Sequence, residues 1–161
     1  MNILIIEDEP GIVRDLTSLF LKIDTSINIL EKLDSIESAV NFLKENHQPD
    51  LVFMDIHLAD GLSFEIFKQV HITCPVVFLT AYDEYAIEAF KVSSIDYILK
   101  PFTKTDIEKS LNKFHDLTKH FGSGQKEYNI KIEDVLKALK TDTVKNTFLV
   151  SSLDKYIPNH K

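Results

Sequence analysis

Short apolar runs alternate along the chain with longer segments in which apolar residues recur every three or four positions. The runs cover residues 3–6, 27–30, 51–54, 76–79 and 95–99. Runs this short, rich in Ile, Val, Leu and Phe, are typical of strands buried on both faces of a sheet. The intervening spacing is typical of helices with one apolar face. Strands that alternate with helices predict parallel pairing through right-handed crossovers, so the expected fold class is α/β, an open doubly wound sheet of five parallel strands.

Local signals indicate where several helices begin. Pro10 suits the first turn of a helix. Asp34 and Glu37 have the three-residue spacing of a capping box. Thr103 and Asp106 have the same spacing before the last helix. The other two helices are expected after the turn at residues 60–61 and after the fourth strand, with apolar faces that include Leu62, Phe64, Ile66 and Phe67 in the first and Tyr85, Ala86, Ala89 and Phe90 in the second.

Composition narrows the function classes. The chain has 161 residues, 44% of them hydrophobic and 27% charged, which is an ordinary globular balance. A net charge of −7 argues against a nucleic-acid-binding surface. A single cysteine, Cys74, excludes an intramolecular disulfide and a Cys-rich zinc site, and it suits a reducing cytoplasm. No apolar run is long enough for a signal peptide or a membrane span.

The pattern changes after about residue 120. Residues 122–125 read Gly-Ser-Gly-Gln, which is typical of a flexible linker, and one more strand is expected at residues 147–150. Because a lone strand is not stable, we interpret this tail as the start of a second domain that is cut off. The predicted organisation is a domain over residues 1–120, a linker with a possible short helix over 121–145, and the second domain from 146 to 161. A simple C-terminal extension is the alternative.

Polar side chains stand where four of the predicted strands end, namely Glu7, Asp8, Asp55, Thr80 and Lys100. In an open α/β sheet, sites lie outside the carboxyl ends of the strands, so we expect these side chains to converge. Carboxylates packed together repel one another, and a divalent cation relieves that repulsion. Mg²⁺ fits such a set because it prefers oxygen ligands and needs only one or two carboxylates.

These residue types suit phosphoryl transfer. Asp55 can act as a carboxylate nucleophile that becomes an aspartyl phosphate. Thr80 can donate a hydrogen bond to a phosphoryl oxygen, and Lys100 can supply a positive charge. Each residue alone also has an ordinary structural role, as a helix cap, a turn residue or a solvated lysine. Their joint placement at the ends of different strands favours the chemical interpretation.

Over about residues 1–120 the chain resembles the receiver domain of two-component response regulators. The matching segments are residues 5–10 (IIEDEP), 54–58 (MDIHL), 79–81 (LTA) and 96–101 (DYILKP). The resemblance implies a (βα)5 flavodoxin-like fold in a signalling domain rather than an enzyme. Such a domain catalyses its own phosphorylation and dephosphorylation and needs Mg²⁺.

The resemblance also implies roles for individual residues. Asp55 is the expected phosphoacceptor, and Glu7 and Asp8 are the expected acidic pair at the metal. The main-chain carbonyl of His57 is the expected further protein ligand of Mg²⁺. Glu7 stands where many relatives have Asp, which puts the metal affinity in question. Lys100 matches the lysine of the family pattern.

Further implied roles concern switching and the local backbone. Thr80 and Tyr97 are the expected switch pair, with Tyr97 rotating inward on activation. The side chains of His57 and Tyr82 are expected to tune hydrolysis of the phosphoryl group. The peptide bond between Lys100 and Pro101 is expected to be cis.

The subclass is indicated by residues 60–67 (DGLSFEIF) and 80–86 (TAYDEYA), which resemble receivers of LytTR-type transcription regulators. Residues 148–150 and 155–158 resemble the opening strands of a LytTR DNA-binding domain. The implied partners are a sensor histidine kinase, a second copy of the chain on activation, and DNA through the missing C-terminal domain only. No membrane partner is implied, and the implied location is the cytoplasm.

Two other functions stay open. An aspartate-nucleophile phosphatase also has an Asp at a strand end, but it needs a second acid two residues later, where this chain has His57. A phosphate-independent, receiver-like interaction module is expected to lack one of the key residues, and none is lacking here.

Overall fold

The structure, a computed structural model, describes residues 1–45, 48–82, 89, 92 and 94–121. Its strands are β1 (Asn2–Ile6), β2 (Asn28–Leu33), β3 (Leu51–Asp55), β4 (His57–Leu58), β5 (Gly61–Leu62), β6 (Val76–Thr80) and β7 (Ser94–Leu99). Its helices are α1 (Pro10–Ile23), α2 (Ile36–Glu45), α3 (Phe64–Gln69) and α4 (Lys104–Phe121). Most of the helix expected around residues 85–90, the predicted linker beyond residue 121 and the predicted second domain lie outside the described residues.

Five of the strands form one parallel sheet in the order β2-β1-β3-β6-β7. This confirms the predicted doubly wound α/β fold. The chain crosses from β1 to β2 on one side and from β3 to β6 on the other, so the strand order reverses between β1 and β3. A crevice at the carboxyl ends of these two strands is where α/β folds of this kind place their sites.

The apolar side chains of the central strands divide into two clusters because successive residues point to opposite faces. On one face Leu4, Ile6 and Phe78 join the residues of α2 and α3. On the other face Ile3, Ile5, Phe53 and Leu79 join those of α1 and α4. Phe20 of α1 and Phe53 of β3 form an edge-to-face pair with ring centroids 4.9 Å apart. Two apolar faces explain why the strand segments are continuously hydrophobic.

The predicted capping box of α4 is confirmed. The main-chain N–H of Thr103 donates to Asp106 Oδ2 at 2.9 Å, and the N–H of Asp106 donates to Thr103 Oγ1 at 3.3 Å. The 18-residue α4 packs its apolar residues against β7 and α1. No helix in the described ranges is long and apolar enough to cross a lipid bilayer.

The predicted cap of α2 by Asp34 and Glu37 is wrong. The first main-chain bond of the helix runs from Ala39 N–H to the carbonyl of Ser35, so the cap lies one residue later than predicted. Ser35 and Ser38 bond reciprocally, with Ser38 N–H donating to Ser35 Oγ at 3.0 Å and Ser35 N–H donating to Ser38 Oγ at 3.2 Å. The serine hydroxyls, with their short reach, take the positions expected for the two acids.

The segment after β3 also differs from the sequence expectation. Leu62, expected in a helix, instead belongs to a two-stranded antiparallel hairpin in which His57 pairs with Leu62 and Leu58 with Gly61. The turn at residues 59–60 is closed by Gly61, whose φ of +136° is a conformation that residues with a Cβ rarely adopt. Two-residue strands have no periodicity to detect, so the pattern alone does not predict this hairpin.

Candidate functional site

The carboxyl ends of four parallel strands converge on one edge of the sheet. Glu7 follows β1, Asp55 ends β3, Thr80 ends β6 and Lys100 follows β7. Their main chains stay in register there, since Lys100 N–H donates to the carbonyl of Thr80 at 2.8 Å. Glu7, Asp55 and Thr80 are buried, with exposed fractions of 2%, 4% and 0%. Such burial of two carboxylates requires a compensating charge.

Lys100 supplies part of that compensation. Its Nζ lies 2.9 Å from Glu7 Oε2, 3.1 Å from Asp55 Oδ2 and 3.5 Å from Glu9 Oε1. Within the described ranges it is the one cation at ion-pair distance from these carboxylates. One ammonium group facing three carboxylates, of which only Glu9 is exposed, leaves an excess of negative charge in a partly buried site.

The pKa values reflect this imbalance. Burial raises the pKa of Glu7 to about 7, the hydrogen bond from Lys100 opposes the rise, and the charge of Asp55 adds to it. For Lys100 burial alone lowers the pKa, but its hydrogen bond to Glu7 and the charge of Asp55 outweigh burial and raise it above the ordinary lysine value. The cluster therefore favours an added proton or cation.

Four acids at this edge can hold a divalent cation. Glu7, Asp8, Glu9 and Asp55 each offer one carboxylate oxygen, and these oxygens lie within 4.8 Å of one another. Oxygen donors in a partly open, negatively charged cluster fit Mg²⁺, which keeps several of its waters. The predicted metal ligands Glu7, Asp8 and Asp55 are thus brought together. Glu9 was missed as a member of the cluster, although the three consecutive acids before Pro10 were a usable signal.

The short hairpin holds the backbone next to Asp55. The main-chain N–H of His57, the first residue of β4, donates to Asp55 Oδ1 at 3.3 Å. Ser63 N–H donates to the carbonyl of Ile56 at 2.8 Å, which closes the hairpin at its base. The His57 ring lies 4.4 Å from the Tyr82 ring, measured between centroids, at an angle of 58°. The two predicted tuning side chains are therefore in contact with each other.

The predicted switch pair is connected through Tyr82. Tyr82 N–H donates to Thr80 Oγ1 at 3.2 Å, and the Tyr97 hydroxyl donates to the main-chain carbonyl of Tyr82. Tyr97 is 7% exposed and is therefore buried in this structure. The peptide bond between Lys100 and Pro101 is cis. The residues expected at the strand ends, Glu7, Asp8, Asp55, Thr80 and Lys100, thus lie together at this edge of the sheet, whereas Tyr97 lies within β7.

Comparison with protein families and curated proteins agrees with this geometry. Residues 3–112 match the family model described as the response regulator receiver domain. The sensory transduction protein LytT of Bacillus anthracis is 38% identical over 117 residues, which cover 71% of this chain and 47% of that protein. LytT of Enterococcus faecalis is 32% identical over 160 residues, which cover 98% of this chain and 64% of that protein. The chain therefore spans about half to two thirds of the length of these relatives.

Solved structures similar to this chain are also response regulator domains. The response regulatory domain of protein mrkE from Klebsiella pneumoniae has a TM-score of 0.60 and 31% sequence identity, and the match covers 75% of this chain and 98% of that one. The response regulator TrrA from Thermotoga maritima, crystallised with Mg²⁺ and BeF, has a TM-score of 0.60 at 22% identity, with 70% of this chain and 97% of that one covered. At that identity the likeness to TrrA shows the fold alone.

Proposed function

This chain belongs to the response regulator receiver domain family, of the kind found in LytT and LytR proteins, and we propose that Asp55 is its phosphoacceptor. The observation that carries the proposal is the position of Asp55 at the end of β3, with Lys100 Nζ 3.1 Å from its Oδ2. A buried carboxylate held beside a lysine in a cluster of further acids has the charge pattern that phosphoryl transfer requires.

The reaction is a displacement at phosphorus. An oxygen of the Asp55 carboxylate forms a bond to phosphorus while the bond between phosphorus and the donor breaks. The electron pair of that bond leaves with the donor, which is the imidazole nitrogen of a phosphohistidine or the acetate of acetyl phosphate. Hydrolysis removes the phosphoryl group as inorganic phosphate when water attacks phosphorus and the Asp55 carboxylate leaves.

The residues present fit Mg²⁺, and we assign its protein ligands to the carboxylates of Glu7, Asp8 and Asp55 and to the main-chain carbonyl of His57. When bound, Mg²⁺ neutralises negative charge on the transferring phosphoryl group. The excess of acid over base in the cluster supports this assignment, because Lys100 alone leaves carboxylate charge uncompensated.

Lys100 and Thr80 receive the new phosphoryl oxygens in this proposal. The Lys100 ammonium is already 3.1 Å from Asp55 Oδ2 and needs only a small movement to pair with an oxygen beyond it. The hydroxyl of Thr80, which accepts a hydrogen bond from Tyr82 N–H, can donate its own proton to another phosphoryl oxygen. Binding of this group favours the conformation in which Thr80 and Tyr97 face inward, which is a shift of population.

We assign the signalling partners by membership of the LytT and LytR group. A sensor histidine kinase donates the phosphoryl group, and an output domain that binds DNA responds to it. A second copy of the chain joins on activation, through a face that includes β7 and α4. The alignment with Enterococcus faecalis LytT extends over 98% of this chain, which supports a continuation beyond the receiver domain.

The test is intact-mass spectrometry after incubation with acetyl phosphate and Mg²⁺. We expect one phosphoryl adduct on the wild-type protein and none on Asp55→Asn. Asp34→Asn is a matched control, because it makes the same chemical change at an exposed aspartate and should keep the adduct. A chelator present during the incubation should prevent the adduct on the wild-type protein and on Asp34→Asn.

Other results would point to the alternatives. A folded wild-type protein that takes no phosphoryl group under these conditions, nor from a kinase, would indicate a phosphate-independent interaction module. Sustained turnover of phosphate esters would indicate a phosphatase. An adduct that survives in Asp55→Asn would place the acceptor on another residue.

A further inference from the structure

Asp60 has a structural relationship that the acceptor chemistry does not explain. It lies in the turn between β4 and β5, and its carboxylate reaches the start of α2, 24 positions earlier in the chain. Ile36 N–H donates to Asp60 Oδ1 at 2.9 Å, and Glu37 N–H donates to Asp60 Oδ2 at 3.2 Å. The bond from Ile36 lowers the pKa of Asp60 below its usual value, so the carboxylate is the favoured form.

The cap of α2 does not depend on this contact alone. Ser35 and Ser38 already bond reciprocally at the same helix end. A helix that has its own serine cap in sequence does not need a carboxylate from a distant turn for its formation. The contact therefore has its larger effect on the turn of the hairpin, where residues 59–61 are exposed.

The hairpin has little room to move while Asp60 is held. Gly61 follows with a φ of +136°, and the position where a Cβ would stand on it is 3.3 Å from Ile36 Cδ1. Leu58 and Ile36 are both buried in the same apolar cluster. The turn is thus held against α2 by two hydrogen bonds and by packing.

The other end of the hairpin is the acceptor. Two residues after Asp55, His57 begins β4 and donates its main-chain N–H to Asp55 Oδ1 at 3.3 Å. A change in the position of the turn is passed to His57 through the paired residues, because β4 is only two residues long and pairs fully with β5. The main chain of His57 includes the carbonyl that we assign to Mg²⁺.

We propose that Asp60 is a positioning residue of the phosphoacceptor site, which holds the β4–β5 hairpin on the N-terminus of α2 and so keeps the main chain of His57 in place beside Asp55. The proposal rests on the function proposed above. It assigns to the start of α2 a part in metal binding and phosphorylation, although no residue of α2 lies in the site.

The experiment compares Asp60→Ala with Ser35→Ala. Both variants remove a cap from the same end of α2, but only Asp60→Ala frees the hairpin. Mg²⁺ affinity is measured without any phosphodonor, from the amide resonance of His57 during a Mg²⁺ titration. Phosphorylation by acetyl phosphate is then followed by intact mass over a series of Mg²⁺ concentrations, and thermal unfolding is recorded without metal.

We expect Asp60→Ala to bind Mg²⁺ about tenfold more weakly, the size of loss typical when a residue that orients a metal ligand is removed. Its metal-free His57 amide resonance should also move. Ser35→Ala should keep the wild-type affinity and resonance even where it lowers the melting temperature equally. Asp60→Asn, which retains one carbonyl acceptor, should rescue part of the affinity, and it replaces Asp60→Ala if that variant does not fold.

Wild-type Mg²⁺ affinity in Asp60→Ala would overturn the proposal. So would equal losses in Asp60→Ala and Ser35→Ala, since that result assigns the effect to stability of α2. Failure of the wild-type protein itself to take a phosphoryl group contradicts the proposed function instead, and the two failures are therefore distinguishable.

Discussion

Lys100 and Glu7 are 93 positions apart in the chain, yet Lys100 Nζ lies 2.9 Å from Glu7 Oε2, with the side chains 11% and 0% exposed. The residues next to Lys100 or Glu7 in the sequence do not create this ion pair. It forms because β1 and β7 end at the same edge of the sheet. The ammonium group of Lys100 pairs with Glu7 and Asp55, two of the carboxylates that we assign to the metal. Lysine and Mg²⁺ therefore compete for the same carboxylates.

The first prediction follows from this competition. Lys100→Met should bind Mg²⁺ more tightly, by about tenfold, because two charges about 4 Å apart near a protein surface interact by up to about 4 kcal/mol and the ammonium opposes the incoming cation. Phosphorylation of the same variant at saturating Mg²⁺ should be much slower. Titration of Mg²⁺ by calorimetry and intact-mass kinetics measure the two effects. Lys113→Met removes a lysine away from the cluster and should change neither.

The second prediction concerns stability and pH. Because the pKa of Glu7 is raised to about 7 from an ordinary value of 4.5, the folded state holds a proton that the unfolded state has lost between these pH values. In solution without metal, the contribution of Glu7 to the free energy of unfolding should therefore be greatest below pH 4.5, fall between pH 4.5 and 7, and level off above that range. Urea unfolding at several pH values with a chelator present measures the slope.

Glu7→Gln should flatten that slope and make the metal-free protein more stable at pH 8 than the wild type. Glu108→Gln, which makes the same change at an exposed position on α4, should leave the slope unchanged. Saturating Mg²⁺ should reverse the decline in the wild type but have little effect on Glu7→Gln. An unchanged slope in Glu7→Gln would show that Glu7 does not carry the raised pKa.

The third prediction concerns Asp96, a buried acid away from the acceptor. Its carboxylate, 1% exposed, accepts hydrogen bonds from Ser110 Oγ at 2.5 Å and from Lys113 Nζ at 3.1 Å, which join β7 to α4. Asp96→Ala removes the partner of both groups and should lower the free energy of unfolding by about 2 kcal/mol. Asp116→Ala, at an exposed position of α4, should change it by about 0.5 kcal/mol or less. Equal effects of the two variants would contradict a stabilising role of the buried network.

The fourth prediction concerns the lifetime of the phosphoryl group. Tyr82 is 47% exposed, and its ring contacts the His57 ring beside the acceptor. Tyr82→Ala should shorten the lifetime several-fold, because loss of the ring gives water readier access to this end of the site. Decay of the adduct after removal of the donor measures it. Tyr82→Phe keeps the ring contact and should decay like the wild type, so identical lifetimes in all three proteins would exclude a tuning role.

The fold was predictable because β1, β3 and β6 are buried on both faces and therefore appear as continuous apolar runs, whereas β2, half-exposed, covers residues 28–33 rather than the predicted 27–30. The capping box of Thr103 and Asp106 was predictable for a related reason, since both partners lie within one turn of the same helix. The cap of α2 was predicted one residue too early, since Ser35 and Ser38 form its local bonds, and its second part was not predictable. Asp34 and Glu37 had the right spacing, but the carboxylate that reaches this helix end comes from Asp60 in a distant turn.

The sequence by itself determined which side chains stand at the ends of the strands. The hydrophobic pattern locates each strand end, and the residue types found there are those of Glu7, Asp55, Thr80 and Lys100. Only the tertiary structure decided which of these groups form ion pairs and how their pKa values shift. Burial, the 2.9 Å contact of Lys100 with Glu7 and the raised pKa of Glu7 depend on distances between strands that the chain order does not contain. The same reason applies to the contact between Asp60 and α2, since hydrogen bonds between distant segments form only once the sheet has set their positions.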